Sequence, residues 1–232
     1  MDYTFSYLIA DVALLTVWLI FFIARPDVRR EMLTMSIFFG IAGLFVQPLY
    51  MHDWWRPLTF TNTAVGIEDF LFGAAVGGVA AVAYEIVYRK KLRPRRASKH
   101  QSYFDKRTLL IASALCALLF FGLFYAAGMS SFYASVAGLI AAITLMWIQR
   151  PDLIADSIAS GVLLVFFGYV WFWVPEIVTP GWVATYWLHD NLFGVLVMTA
   201  PLEDFIWGLL VGMYIGPLYE FWNEKKLFPL KF

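Results

Sequence analysis

Polar residues in this chain gather in short clusters. Between them run seven apolar stretches, at roughly 4–24, 32–51, 66–88, 108–128, 131–149, 153–175 and 200–222. A run of about 20 apolar residues is what a helix needs to cross the hydrocarbon core of a bilayer. The pattern therefore predicts an all-α integral membrane protein with seven transmembrane helices. The first run opens behind Asp2 rather than a basic stretch, and no small-residue cleavage site follows it, so it is expected to remain as a span.

Composition agrees with this reading. The chain is 61% hydrophobic and 15% charged, with a mean hydropathy of +0.70. A soluble domain carries about 25% charged residues, so here there is too little polar surface to cover a globule. With seven spans, 16 of the 17 Lys and Arg residues fall on one side and only Arg56 on the other. Basic loops stay in the cytoplasm, which puts the N-terminus outside and the C-terminus in the cytoplasm. The expected home is the cytoplasmic membrane of a prokaryote, with membrane lipid as the first partner. Zero net charge argues against a nucleic-acid partner. The single cysteine, Cys116, lies in an apolar run and excludes a disulfide framework.

The chain also repeats itself. Gly66-Ile67-Glu68-Asp69-Phe70-Leu71-Phe72-Gly73, with Gly77, Tyr84-Glu85 and Lys90-Lys91-Leu92, returns 135 positions later without a gap. The second copy reads Pro201-Leu202-Glu203-Asp204-Phe205-Ile206-Trp207-Gly208, with Gly212, Tyr219-Glu220 and Lys225-Lys226-Leu227. Arg25-Pro26-Asp27 and Arg150-Pro151-Asp152 follow the first and fifth runs, and His52-Asp53 and His189-Asp190 precede the two acidic pairs. A repeat of this kind outranks local readings. It predicts a first three-helix repeat over 1–92, a basic loop and connector helix over 93–130, and a second three-helix repeat over 131–232. Three spans, one connector and three spans (3+1+3) set the two repeats parallel, related by an axis along the membrane normal.

Candidate chemistry sits on the acidic pairs. A carboxyl buried away from water resists ionising, and a second carboxyl beside it adds to that resistance. This is how general acids keep a proton near neutral pH. Glu203, Asp204, Glu68 and Asp69 are thus the candidate catalytic groups. The alternative for them is helix-start chemistry, since acids favour a helix N-terminus and Pro201 suits a first turn. His52 and His189 lie on the same side, but their spacing matches no metal motif, and no metal is expected. Glu85 and Glu220, about 26 Å further along their helices, read as partners for Lys90-Lys91 and Lys225-Lys226. Asp11, within the first run, needs an interior partner and has no counterpart, since Val136 stands there. Gly73, Gly77, Gly208 and Gly212 form small-xxx-small pairs for close helix packing. Trp54, Trp55, Trp182, Tyr186 and Trp187 read as interfacial anchors. No lysine lies in any span, which excludes a retinal Schiff base, and no nucleotide, zinc-protease or hydrolase motif is present.

At the acidic pairs the chain resembles the membrane-integral lycopene cyclases, the heterodimeric or fused type, whose roughly three-span domains carry Pro-x-Glu-(Glu/Asp) near the start of a span. Pro201-Leu202-Glu203-Asp204 fits that motif, and Gly66-Ile67-Glu68-Asp69 fits it with Gly in place of Pro. The resemblance implies a membrane-embedded end-group cyclase acting on a hydrophobic isoprenoid by proton transfer through a carbocation. The net reaction is an isomerisation, so no cofactor is implied. Phe70, Phe72, Phe205 and Trp207, with His52 and His189, would form the pocket, the aromatic faces steadying the cation. Two other classes stay open: a small-solute transporter with 3+1+3 parallel repeats, and a non-catalytic carotenoid-binding membrane protein. Homo-oligomerisation is left open as well.

Overall fold

The computed structural model describes residues 2–95 and 99–229; Arg96 and Lys231, two of the basic residues counted above, lie outside the described residues. Helix α1 (Ser6–Ala24) leads through a 3-10 turn at Pro26–Val28 into α2 (Arg29–Asp53), then α3 (Ile67–Val87) and strand β1 (Lys90–Pro94). Next come α4 (Lys99–Tyr125), α5 (Ser131–Gln149), a second 3-10 turn at Pro151–Leu153, α6 (Ile154–Gly168), α7 (Val170–Val178) and the short α8 (Trp182–Tyr186). A small hairpin, β2 (Leu196–Val197) and β3 (Ala200–Pro201), precedes α9 (Leu202–Ile215), α10 (Leu218–Trp222) and β4 (Lys225–Pro229).

Among the described residues, six helical runs are long and apolar enough to cross a membrane: Ser6–Ala24, Pro26–Asp53, Ile67–Val87, Tyr103–Tyr125, Ser131–Gln149 and Pro151–Val178. The seventh expected span, 200–222, is not among them. Helix α9 has only 14 residues, about 21 Å of rise. It ends at Gly216 and Pro217, because proline lacks the N–H the helix ladder needs and its ring clashes with the preceding turn. The sixth run also bends, passing from α6 to α7 at Tyr169.

Helix α3 is the centre of the bundle, and its sequence explains why. Gly73-Ala74-Ala75-Val76-Gly77-Gly78-Val79-Ala80-Ala81 leaves almost no side-chain bulk, so neighbours close on it from several sides, and the stretch is buried throughout. It packs against α1, α2, α6 and α9. A Cβ on Gly77 would lie 2.7 Å from the Met35 carbonyl oxygen of α2, and one on Gly73 would collide with the Phe39 carbonyl. In the second copy the same approach joins α9 to α6: a Cβ on Gly212 would meet Gly161 Cα at 2.7 Å. Gly208 differs, since the nearest atom to such a Cβ is Val165 Cγ2 at 3.7 Å, an ordinary contact. So Gly73 and Gly77 pack against α2 and Gly212 against α6, while Gly208 makes no such close approach.

The basic motifs fold alike in both copies. Arg25 and Arg150 take nearly the same backbone angles, φ −131° ψ 82° and φ −130° ψ 70°, ahead of their 3-10 turns. Arg25 pairs with Asp27 and Arg150 with Asp152, both at 2.8 Å. Arg25 also donates to the Lys90 carbonyl, and Arg150 to the Lys225 carbonyl. Strands β1 and β4 pair antiparallel, with Leu92 opposite Leu227, Lys90 opposite Pro229 and Pro94 opposite Lys225. The register is symmetric about the Leu92–Leu227 pair, so a local two-fold axis passes through the ribbon.

Several aromatic and charged residues sit elsewhere than their sequence position suggests. Trp54, Trp55, Trp182 and Trp187 are buried in the core rather than set in an outer belt. Neighbouring rings recruit them: Trp55 and Trp187 lie 5.1 Å apart, and Trp182 and Trp187 5.2 Å. Glu85 and Glu220 are fully buried, their carboxyls close to each other and out of reach of any N–H or hydroxyl group of the described residues. They do not pair with the lysines, because the chain turns at Arg89 and Glu224 with positive φ and carries Lys90 and Lys225 away into the ribbon.

Candidate active site

Each acidic pair opens a helix, and the two carboxyls of a pair point different ways, as adjacent helical positions must. The glutamates turn back onto the loop that delivers the helix. Glu68 Oε1 accepts the backbone N–H of Phe60 at 2.6 Å, and Glu203 accepts that of Phe193. Both are buried, at 0% and 1% exposure. The aspartates turn inward, toward a cavity of about 390 Å³. Asp69 and Asp204 are the two carboxylates in its wall, which is otherwise mostly apolar.

Each aspartate is held by an aromatic donor. The Tyr7 hydroxyl donates to Asp69 at 2.9 Å, and Trp187 Nε1 donates to Asp204 at 3.0 Å. Asp69 takes a further N–H from Gly66 at 2.8 Å, the first residue of the motif. The matching residue in the second copy is Pro201, which has no N–H, so Asp204 lacks that cap. Burial follows suit: Asp69 is 2% exposed, while Asp204 keeps accessible surface.

The cavity wall is aromatic. Phe72 lies 4.8 Å from Trp171 and stacks on Trp207 at 6.0 Å, while Trp55 sits 5.5 Å from Trp171. Trp207 Nε1 donates to the Tyr50 hydroxyl at 3.0 Å, which fixes the indole plane. Tyr169 and Phe205 stack at 6.0 Å on the same wall. Such faces carry negative quadrupole charge and attract a cation.

Of the expected pocket residues, Phe72, Phe205 and Trp207 line the cavity, as do Gly73 and Gly208. Phe70, His52 and His189 do not. Phe70 lies over Gly40 of α2, in the space a side chain there would fill, and lines a second, shallower depression. His52 is exposed, with its ring against Phe124 at 5.6 Å. His189 sits in a 3-10 turn, its Nε2 3.3 Å from the Val183 carbonyl oxygen. Asp53, beside His52, accepts the Ser131 N–H and hydroxyl and so caps the start of α5. Asp11 is fully buried and accepts Trp171 Nε1 at 2.9 Å, which supplies the interior partner it needs and braces a wall residue. The residues that sequence reasoning missed are Tyr7, Tyr50, Trp171 and, as site members, Trp54, Trp55 and Trp187. Trp187 stands two residues before His189 and Trp54 two residues after His52, and that tryptophan near each His-Asp was the available signal.

A family model described as lycopene cyclase matches this chain over two segments, residues 3–87 and 130–222. Together they take in most of the sequence, both acidic pairs and every aromatic cavity residue named above, while Phe120 and Phe121 of α4, which also touch the cavity, lie between the two segments. Neither a curated protein nor a solved structure matches the chain.

Proposed function

The chain belongs to the lycopene cyclase family, and from that premise we propose that it closes the acyclic end group of a carotenoid or related isoprenoid into a ring. The observation that carries this reading is the pair of inward-facing aspartates in an aromatic cavity. Asp204, as the carboxylic acid, gives its proton to the terminal double bond of the end group. The resulting tertiary cation is attacked by the next double bond along the chain, which closes the ring. Asp69, as carboxylate, takes a proton from the ring carbon beside the new cation, leaving a ring double bond. One proton enters and one leaves, so substrate and product are isomers. General acid–base transfer of this kind is worth about 10²–10⁴ in rate. Phe72, Trp171, Phe205 and Trp207 present the faces that stabilise the cation in transit. Glu68 and Glu203 position the helix starts by holding the preceding loops.

The same reading takes the molecule as two parallel three-helix repeats with α4 as connector, α9 and α10 completing the second repeat as a broken seventh span. The symmetric ribbon, the paired Arg-Pro-Asp turns and the two matched segments support it. The charge asymmetry favours a cytoplasmic face at the ribbon and an outer face at the acidic pairs, in a prokaryotic inner membrane. The six apolar helices and the family fit an integral membrane protein. A cavity of this size holds one end group, and the polyene would lie in the lipid.

The test is pigment analysis of a lycopene-accumulating host expressing the chain, beside Asp204→Asn at equal protein level. Cyclic carotenoids from the parent, lost in the variant, support the assignment. Untouched lycopene with well-expressed parent protein rejects lycopene as substrate and turns attention to transport or carotenoid binding.

A further inference from the structure

At the other end of the bundle from Asp69 and Asp204, four buried acids meet. Glu31 lies in the first turn of α2, Asp156 in the first turn of α6, Glu85 in the last turn of α3 and Glu220 in α10. None exceeds 1% exposure. One carboxylate oxygen from each of Glu31, Glu85 and Glu220 falls within 4.8 Å of the other two. Asp156 is close enough to act electrostatically on all three. The set is built twice over: Glu85 and Glu220 are 135 positions apart, and Glu31 and Asp156 are 125 apart, the same offset as Arg25 and Arg150.

A buried polar group without a partner calls for an explanation, and here seven oxygens do. No N–H or hydroxyl group of the described residues reaches either oxygen of Glu31, Glu85 or Glu220, nor Asp156 Oδ2, although the Glu85 and Glu220 carboxyls lie close enough to share a proton. The nearby guanidiniums are turned elsewhere. Arg25 is given to Asp27 and to the carbonyls of Glu85 and Lys90. Arg150 gives Nε and Nη2 to Asp152 and Nη2 to the Lys225 carbonyl, and its buried Nη1 has no partner among the described residues. Helix-start electrostatics favours Glu31 and Asp156 but disfavours Glu85, which stands at the negative end of α3. Uncompensated charge in a dry interior is costly enough that it is paired or holds a metal.

We propose that Glu31, Glu85 and Glu220, with Asp156, bind a hard divalent cation that clasps the two repeats together at this end. The all-oxygen, all-carboxylate set selects Mg²⁺, Ca²⁺ or Mn²⁺ over softer ions. Oxygens on opposite sides of a cation with bonds of about 2.4 Å lie about 4.8 Å apart, and the three oxygens all fall within that limit of one another. The ion draws together α2 and α3 of one copy and α6 and α10 of the other. Asp69 and Glu85 are 16 residues apart on α3, about 24 Å, so the cation takes no part in proton transfer at the cavity. The proposal is independent of the cyclase reading.

The full chain, purified in detergent without chelator, is stripped with EDTA and titrated with Mn²⁺ under electron paramagnetic resonance, then back-titrated with Ca²⁺ and Mg²⁺. One saturable Mn²⁺ per chain is expected, displaced by at least one of the other two. The melting temperature should fall on stripping and rise with ion concentration, as binding to the folded state requires. Glu31→Gln and Glu220→Gln should each weaken Mn²⁺ binding by more than the roughly tenfold to hundredfold that even an outer-shell partner is worth, while Asp204→Asn should leave it unchanged. The untouched chain supplies the decisive arm, whatever the variants' folding. No saturable Mn²⁺ and no effect of EDTA on its melting would overturn the proposal and leave the four carboxyls sharing protons. Unweakened binding in Glu31→Gln would overturn the site assignment.

Discussion

The backbone N–H of Gly66 lies 2.8 Å from Asp69 Oδ2, a contact that Pro201 cannot offer Asp204. Two aspartates at matched positions therefore differ in how freely an oxygen can meet a substrate. Asp204→Asn should lower the cyclisation rate by about 10² or more. Asp69→Asn should cost less rate, because a carbocation loses its proton readily, but should change the products toward other double-bond positions or hydrated end groups. Chromatography of the pigments from membranes with equal protein content separates the two outcomes. Equal loss with unchanged products in both variants would contradict the division of roles.

Trp187 and Tyr7 line the cavity and hold its two aspartates by hydrogen bonds. Trp187→Phe and Tyr7→Phe keep a ring in place and remove the hydrogen bond at 3.0 Å or 2.9 Å. A hydrogen bond to a charged group is worth about 1.5–3 kcal/mol, so each variant should lose roughly tenfold to hundredfold in kcat. KM should hold, since each variant keeps its ring in the cavity wall. A rise in KM at constant kcat would make them pocket-shaping residues instead.

Gly161 and Gly208 offer a matched contrast between packing and cavity. A Cβ on Gly161 would lie 2.5 Å from the Leu209 carbonyl oxygen, a backbone atom that cannot swing aside, whereas one on Gly208 finds room. Gly161→Ala should destabilise by about 1–3 kcal/mol through overpacking, seen as a lower melting temperature in detergent. Gly208→Ala should melt near the parent and alter substrate selectivity, because Gly208 lines the cavity.

Much of this was legible in the sequence, and what was not has identifiable causes. The apolar runs and the 135-residue offset mark the helices and the acidic pairs, because hydrophobic length and repetition are one-dimensional signals. Which carboxyl of a pair faces inward is not one: Glu68 and Asp69 are neighbours in sequence, and only the Phe60 N–H and the Tyr7 hydroxyl assign their directions. Glu85 beside Lys90-Lys91 reads as an ion pair until the positive φ at Arg89 carries the lysines away. The tryptophans read as belt residues because hydropathy cannot distinguish a ring at an interface from one inside a cage. Pro217 was visible, yet a 23-residue apolar run outweighed it; the cost of its missing N–H decided otherwise.

The ribbon of β1 and β4 has a kinetic consequence. Its two strands are 135 positions apart, so β1 leaves the ribosome long before its partner exists. Loop-closure entropy for such a separation grows only logarithmically, but the pairing is non-local and therefore slow relative to helix formation. Helices α1–α3 must wait with Lys90–Pro94 unpaired until the last helices have been made. Register between the halves is thus set late, after both have taken their places. A chain stalled before Lys225 would present an open strand edge, available to a second nascent copy.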